Sequence, residues 1–240
     1  MKIFVSVLTY GLGKQLGIQG AARAFSSQLV DDHEPRDLLP AARVIRRLRA
    51  LGDLIIYHGA GTALPKARSR AAHAALESGA DLWLMVDDDV ETDSATLQRL
   101  ITLAGTDRAS VLPCPIRGVE SERHTINVLW DGSLVTLLDG VQARKVQRGG
   151  CGLMLVSRAA LARVADCYSP ALSFRDDDGK TKVALFHQML VGEDGLLRWL
   201  NEDYSFAERL RAADVTLVAP IEGRASHDGA ILHLEECAAI

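Results

Sequence analysis

An uninterrupted apolar run, Leu82 to Val86, ends at three consecutive aspartates, Asp87–Asp89. A half-exposed strand alternates apolar and polar residues, so an unbroken run predicts a strand buried on both faces of a sheet. Ligands of open parallel sheets bind beyond the carboxyl ends of the strands, where these acids fall. Adjacent carboxylates repel one another, and a divalent cation that carries a phosphate ligand would relieve that repulsion. The alternative is an acidic turn that caps the next helix.

The chain has 240 residues, which is enough for one large α/β domain with a sizeable core. A net charge of −4 gives no reason to expect a nucleic-acid partner. The one basic stretch is Arg43–Arg49, and a solvated helix face is its simpler interpretation. Four cysteines without a C-x-x-C pair indicate reduced thiols and no structural zinc.

No segment is long and apolar enough for a membrane span, and the short apolar segment after Lys2 does not suffice for a signal peptide. We therefore expect a soluble, cytoplasmic protein. The oligomeric state stays open at this stage.

Strand and helix patterns alternate as far as Pro115, which predicts a doubly wound, mostly parallel sheet of the α/β class. Strands are expected at 3–8, 54–57, 82–86 and 111–115, and helices at 20–30, 40–51, 67–78 and 94–103.

Beyond residue 115 the pattern changes to short antiparallel strands. They are expected at 125–130, 134–138 and 143–147, with turns at Asp131-Gly132 and Asp139-Gly140. Later segments predict strands at 152–156, 183–190 and 215–218, helices at 158–164 and 201–213, and a turn at 175–180. We expect one domain over 1–240, with a nucleotide-type half (1–115), a second half (116–230) and a tail (231–240).

Asn201 is a suitable cap for the helix that follows it, which places Glu202 and Asp203 in the first turn. The helix dipole keeps such carboxylates ionised, so they can act as general bases or simply stabilise the helix start. His227, after the last strand, either reaches back to a metal site or is a solvated surface residue. Glycines in the segment 148–152 permit close approach of a ligand or mark a strand bend.

Four segments in chain order resemble the small GT-A fold glycosyltransferases that use nucleotide sugars. They are D-D-D-V at 87–90, G-C-G-L-M-L at 150–155, E-D-Y-S-F at 202–206 and the histidine of H-D-G at 227–229. The resemblance covers roughly Lys2 to Gly229. It implies a GT-A fold, in which a nucleotide-sugar-binding half is fused to a smaller antiparallel acceptor-side region.

The resemblance also implies roles on the donor side. Thr9 and Tyr10 would lie by the nucleotide base, and Arg68 near the nucleotide or phosphates; the family often has Asn where this chain has Ser69. Asp87 would contact the ribose or nucleotide, with Asp88 beside it.

Asp89 and His227 would bind Mn²⁺ or Mg²⁺, with Asp87 as a further ligand, and the ion would bridge the diphosphate of the donor. The donor would be a nucleoside-diphosphate sugar, with a UDP-sugar as first candidate. Gly150, Cys151 and Gly152 would border the sugar and the acceptor.

Asp203 would be the catalytic base, with Glu202 beside it, as in inverting members; retaining members use the same fold differently. The acceptor hydroxyl would belong to a glycan, a lipid-linked sugar, a protein side chain or a hydroxylated DNA base.

Three other functions remain open from the residues alone. A phosphohydrolase or phosphotransferase would use Asp87 as its nucleophile. A nucleotidyltransferase of related fold would need a basic glycine-rich loop after the first strand, where this chain offers only Lys14. A non-catalytic binding module for sugars or nucleotides would not need Asp203.

Overall fold

The computed structural model describes residues 1–8, 39–59, 63–116, 126–136, 140–227 and 230–237. The first part of this described chain alternates strands with helices. Its strands are β1 (Lys2–Leu8), β2 (Asp53–Gly59), β3 (Leu82–Asp87), β4 (Val90–Thr92) and β5 (Arg108–Val111), and its helices are α1 (Pro40–Leu48), α2 (Leu64–Glu77) and α3 (Ser94–Leu103).

The second part is richer in strands. It contains β6 (Val128–Thr136), β7 (Gln142–Gly149), β8 (Leu153–Ser157), α4 (Arg158–Leu172), β9 (Ser173–Arg175), β10 (Thr181–Val183), β11 (Met189–Glu193), β12 (Leu196–Leu200), α5 (Glu202–Ala212), β13 (Thr216–Pro220), β14 (Arg224–His227), β15 (Ala230–His233) and α6 (Leu234–Cys237).

A mixed sheet of eight strands forms the centre, in the order β2-β1-β3-β8-β5-β13-β7-β6. β1 pairs parallel with β2 and β3, and β13 pairs parallel with β5, whereas β8 lies antiparallel between β3 and β5. β7 is antiparallel to both β13 and β6. All strands except β7 and β8 therefore run in one direction, and the predicted α/β class with an antiparallel region is confirmed.

The central strand β3 is buried on both faces, as its unbroken apolar run predicts. Trp83 and Met85 pack into one hydrophobic cluster, and Leu84 and Val86 pack into the cluster on the other face. The Trp83 indole donates to the Ser6 hydroxyl at 2.9 Å, so its polar atom is satisfied inside the core.

A small antiparallel sheet joins β4 to the end of the chain, in the order β15-β14-β4. The prediction that 231–240 is a tail is therefore wrong for its described part, which contributes to β15 and α6. β15 is only four residues long, which gives a weak local signal, and β14, with which it pairs, is itself paired with β4, far away in sequence.

Other element predictions need correction. Residues 128–136 form one strand, and Asp131-Gly132 lies at a register shift in β6 and is not a turn. The strand expected at 183–190 is two separate strands, β10 and β11, and the strand expected at 111–115 ends at Val111. α4 extends the helix expected at 158–164 to Leu172. The helix expected at 20–30 and the turn residue Asp139 lie outside the described residues.

Within the described ranges, no helix is both long and apolar enough to span a membrane.

Candidate active site

The acidic end of β3 lies where three strands meet. Asp87 is the last residue of β3, and it pairs with Leu8, the last residue of β1. The Asp87 backbone N–H donates to the Gly152 carbonyl at 2.9 Å, which places the start of β8 beside it. Asp88 and Asp89 form the turn that leads into β4. The acids therefore stand at a carboxyl edge of the sheet, as the sequence predicts.

Strand pairing brings His227 to the same edge. In the antiparallel pair of β4 and β14, His227 lies opposite Val90, the residue after Asp89. The His227 Nε2 atom is 3.4 Å from Asp89 Oδ2. The predicted proximity of His227 to the aspartates is thus observed.

The contact of the Nδ1 atom shows where His227 carries a proton. Its Nδ1 lies 2.7 Å from the Pro115 carbonyl oxygen, which can only accept, so Nδ1 carries the proton. The hydrogen bond to Asp89 is the largest cause that raises the pKa of His227 to about 9. The Nε2 atom can act in either of two ways. It can donate an N–H to Asp89, or, without its proton, it can bind a metal ion while the hydrogen bond to Pro115 fixes the orientation of the ring.

Arg68 joins the sheet edge to the start of α5. Its side chain is 2% exposed, and its Nη2 donates to both carboxylate oxygens of Asp87 at 3.2 Å. Its Nη1 lies 3.4 Å from Glu202 Oε1 and also contacts Asp203 Oδ1. One buried guanidinium therefore holds three carboxylates that come from two distant parts of the chain.

The Asp87 carboxyl is under opposing influences. Burial raises its pKa, and the negative charge of Asp89 raises it further, whereas the Arg68 guanidinium acts to lower it. The net effect is a raised pKa, so the charged form of Asp87 depends on positive charge in its vicinity.

α5 begins as its sequence predicts. The Asn201 side chain accepts a hydrogen bond from the Tyr204 backbone N–H at 2.9 Å, which caps the helix. Glu202 and Asp203 occupy the first turn, while Phe206 is buried in the core on the opposite side. The cap and the buried face orient both acids toward Arg68.

The segment 150–152 borders these acids. A Cβ added at Gly152 would lie 3.3 Å from a Val90 methyl group and 3.8 Å from Asp87 Oδ2, so a side chain there would crowd Val90 and would contact Asp87. Burial is the largest cause that raises the pKa of Cys151 to about 12. Cys151 is therefore a neutral thiol that lines the site and is not a nucleophile.

Sequence reasoning missed Asn127. Its side-chain oxygen accepts from the Cys114 N–H at 2.9 Å, and its carbonyl accepts from the Gly150 N–H at 2.9 Å. It thereby ties the segment before Pro115 to the segment before Gly152. A single asparagine in a short predicted strand carries no local signal that would have identified it.

Asp89 and His227 are the described side chains that lie closest to a predicted metal site. Among the described residues, no three side chains of His, Cys, Asp or Glu type converge as a metal cage. The distance of 3.4 Å between Asp89 Oδ2 and His227 Nε2 suits two neighbouring ligands of one ion. Adjacent ligands that each lie about 2.1 Å from an octahedral ion are about 3 Å apart. Mg²⁺-type sites often take few protein ligands and complete their shell with phosphate and water. Asp87 is held by Arg68 and does not join them in this arrangement.

The remaining residues that the sequence predicts for the site either lie outside the described residues or make other contacts. Thr9 and Tyr10 lie outside the described residues, and Asp88 is in the turn, where its carbonyl accepts from Ala41 at 3.4 Å. Ser69 points inward and accepts from the Phe186 N–H at 3.2 Å.

The basic face of α1 has an internal partner. Arg43 and Arg47 both pair with Glu91, at 2.6 and 2.7 Å. Two arginines of the basic stretch Arg43–Arg49 are therefore paired with an acid of β4, in addition to lying on a helix face. A cavity of about 310 Å³ lies between α5, β7 and the start of β13, and none of the acids of the candidate site lines it.

No family model matches the chain, and no curated protein matches its sequence. The crystal structure of A197 from STIV aligns over 97% of this chain and 94% of that chain, with a TM-score of 0.50 and 12% identity. UDP-glucose pyrophosphorylase complexed with UDP-glucose aligns over 96% and 94%, with a TM-score of 0.46 and 10% identity.

S. aureus TarS 1-349 in complex with UDP-GlcNAc aligns over 91% of this chain but 56% of that chain, with a TM-score of 0.38 and 15% identity. The overlap with A197 shows a shared fold across nearly the whole chain. The other two overlaps are too loose to support a functional argument.

Proposed function

We propose that this chain is a metal-assisted glycosyltransferase, which moves a sugar from a nucleoside-diphosphate sugar to an acceptor hydroxyl. The observation that carries this proposal is the double contact of Arg68, with Asp87 at the sheet edge and with Glu202 and Asp203 at the start of α5. The proposed donor-side acid and the proposed catalytic base thus contact the same guanidinium. The motif resemblance supplies the choice of substrate class.

On the donor side, Asp87 is oriented for the ribose or nucleotide by Arg68, and Gly152 leaves room beside it. Asp89 and His227 would hold Mn²⁺ or Mg²⁺ through Oδ2 and Nε2. When bound, the ion would supply positive charge to the diphosphate leaving group. A UDP-sugar is the first candidate for the donor.

On the acceptor side, Asp203 is the proposed base of an inverting transfer. Its Oδ1 faces Arg68, which leaves Oδ2 to accept the proton of the acceptor hydroxyl. The acceptor oxygen forms a bond to the anomeric carbon, and the bond from that carbon to the diphosphate oxygen breaks with its electron pair on the diphosphate. Glu202 shares the Arg68 contact and helps to fix the position of the guanidinium.

Phosphoryl transfer through Asp87 fits the geometry less well. Both carboxylate oxygens of Asp87 receive hydrogen bonds from Arg68, which restrains them and lowers their nucleophilicity. A nucleophilic aspartate would need one oxygen directed at the phosphorus atom.

Release of UDP from a panel of UDP-sugars in the presence of Mn²⁺, with and without added acceptors, tests the proposal. Asp203→Asn should slow transfer by about 10²–10⁴-fold, because a positioned base contributes that much, while donor binding is retained. Asp166→Asn, at an exposed position of α4, is the matched control and should transfer at the wild-type rate.

Two results would refute the proposal. One is wild-type transfer by Asp203→Asn. The other is formation of a nucleotide sugar from a nucleoside triphosphate and a sugar phosphate with no sugar transfer, which would identify a nucleotidyltransferase.

A further inference from the structure

Asn127 joins two segments of the candidate site through three hydrogen bonds. Its backbone N–H donates to the Cys114 carbonyl at 3.0 Å, and its backbone carbonyl accepts from the Gly150 N–H at 2.9 Å. Because that carbonyl is directed at Gly150, the side-chain Oδ1 accepts from the Cys114 N–H instead, at 2.9 Å. Cys114 is 1% exposed, so its N–H needs a partner inside the protein. A residue without a side-chain acceptor at position 127 would leave that N–H unsatisfied.

The Asn127 amide is confined on its other side by Gly150. A Cβ added at Gly150 would lie 2.8 Å from Asn127 Nδ2 and 3.3 Å from Asn127 Cβ. A side chain at this glycine would therefore displace the amide, whereas glycine permits the close approach. The amide is thus packed between Gly150 and the backbone of Cys114.

The bonds to Cys114 hold Pro115, which is the next residue. A proline has no backbone N–H, so Pro115 cannot donate a backbone hydrogen bond of its own. It lies opposite Ile126, the residue before Asn127, in an isolated antiparallel bridge. The direction of the Pro115 carbonyl therefore depends on how the segment that contains Asn127 holds its neighbour.

The Pro115 carbonyl in turn orients the His227 ring. It lies 2.7 Å from His227 Nδ1, while Nε2 of the same ring lies 3.4 Å from Asp89 Oδ2. The partner of the second ring nitrogen fixes the orientation of a histidine that binds a metal ion. A change in the direction of this carbonyl would turn Nε2 away from Asp89.

We propose that Asn127 is a positioning residue for the metal site. Its amide holds the Pro115 carbonyl in place, and that carbonyl holds the His227 ring with Nε2 toward Asp89. This inference rests on the proposed function, because Asp89 and His227 are its proposed metal ligands. The alternative is that Asn127 stabilises the fold without any effect on the histidine.

Two measurements on Asn127→Ala test this role. Electron paramagnetic resonance of free Mn²⁺ gives the Kd for Mn²⁺ alone, and the Kd should rise by about tenfold to hundredfold, as is typical when a partner of a metal ligand is lost. NMR of protein labelled with ¹⁵N-histidine, without metal, detects the Nδ1–H of His227. This signal, assigned by its loss in His227→Ala, should shift or disappear in Asn127→Ala.

Ser157→Ala is the matched control. The Ser157 hydroxyl also accepts from a backbone N–H, that of Ala160 at 3.1 Å. Ser157 pairs with Leu82, so it lies at the opposite end of β3 from Asp87. Its loss should leave both the Kd for Mn²⁺ and the His227 signal unchanged.

Gly150→Ala disturbs the same amide from its other side. The added methyl group should displace Asn127, so the Kd should rise and the His227 signal should change as in Asn127→Ala. Circular dichroism shows whether each variant folds. If Asn127→Ala does not fold, Gly150→Ala decides the question.

The inference would be overturned by a wild-type protein that binds no Mn²⁺ or lacks the His227 signal. A change in only one of the two readouts would also overturn it, since the position of the ring and the affinity for the ion should change together. The two proposals fail separately. Transfer of sugar with both readouts unchanged in Asn127→Ala removes only the role of Asn127, whereas both changes without any UDP release or sugar transfer in the wild type remove only the transferase.

Discussion

Arg68 is the residue on which the site depends most. An arginine cannot escape burial by losing its proton, so it needs negative partners, and here it has Asp87, Glu202 and Asp203. The dependence is mutual, because these acids would otherwise repel one another at close range. Arg68 thus stabilises the fold and arranges the site at the same time.

We predict that Arg68→Met lowers the free energy of unfolding by about 3–5 kcal/mol, because it leaves buried carboxylates without their counter-charge. Denaturant unfolding, monitored by circular dichroism, measures this change. Arg99→Met is the control, since Arg99 and Glu222 form an exposed pair that should contribute less than about 1 kcal/mol. Equal effects of the two substitutions would show that the buried Arg68 contacts stabilise the fold no more than an exposed ion pair does.

The resemblance assigns Arg68 to the nucleotide or phosphates, and that assignment stays a prediction. The structure adds two partners that the sequence did not predict, Glu202 and Asp203, across more than 130 positions of sequence. Pairing of this kind depends on how α2 and α5 lie on the sheet, and the local pattern of neither helix encodes it.

Among the elements, the turn that precedes β14 determines the position of His227. Gly223 has φ +132°, in a region that other residues rarely adopt, and a Cβ there would overlap the Thr96 side chain. The turn sets the register of β14 against β4, which places His227 beside Asp89.

Gly223→Ala should therefore lower the free energy of unfolding by about 1–3 kcal/mol through backbone strain and overlap. The matched control is Gly192→Ala in β11, where a Cβ meets nothing within 4 Å. Thermal unfolding of both variants checks this prediction, and a Gly223→Ala variant as stable as Gly192→Ala would contradict it.

The β9–β10 hairpin is fastened to α2 by a second charge cluster. Asp176 accepts from Arg70 Nε at 2.7 Å and from Lys182 Nζ at 2.5 Å. The hydrogen bond from Arg70 is the largest cause that lowers the pKa of the Asp176 carboxyl below its usual value. Because Arg70 is two residues from Arg68, this cluster also holds the helix that carries the site.

The lowered pKa of Asp176 predicts how stability depends on pH. The ion pairs contribute fully above the ordinary aspartate pKa of about 3.9, and their contribution is lost as the pH falls through that value toward the lower folded-state pKa. Asp176→Asn should therefore lower the melting temperature at pH 7, and the difference from wild type should shrink below about pH 4. Asp53→Asn, at an exposed position of β2, is the control. A pH-independent difference would contradict this account.

Elements with strong local signals were predicted well, and elements defined by distant pairing were not. The start and end of α3, at Ser94 and Leu103, match the prediction, because Asp93 caps the helix through its side chain. The β11–β12 hairpin was missed, although its Asp194-Gly195 turn has φ values of 52° and 77° and is a familiar hairpin signal.

At the scale of the whole molecule, the sheet explains why distant residues share one site. β1 and β3 end at the same edge, β8 starts there, and the small sheet of β4 and β14 returns the end of the chain to it. Alternating strand and helix patterns predicted the class of this sheet. The antiparallel insertion of β8 between β3 and β5 could not be predicted, since neighbour order depends on packing and not on local pattern.

We propose that Asp89 and His227 hold a divalent cation that carries a diphosphate donor. Thermal unfolding with UDP-glucose, with and without Mn²⁺, tests it most directly, because a ligand at a hundredfold excess over its Kd stabilises by about 2.7 kcal/mol. We predict a Mn²⁺-dependent rise in melting temperature for wild type, Asp203→Asn and His233→Ala, and its loss in Asp89→Ala and His227→Ala. An equal, Mn²⁺-dependent rise in wild type and Asp89→Ala would contradict the claim.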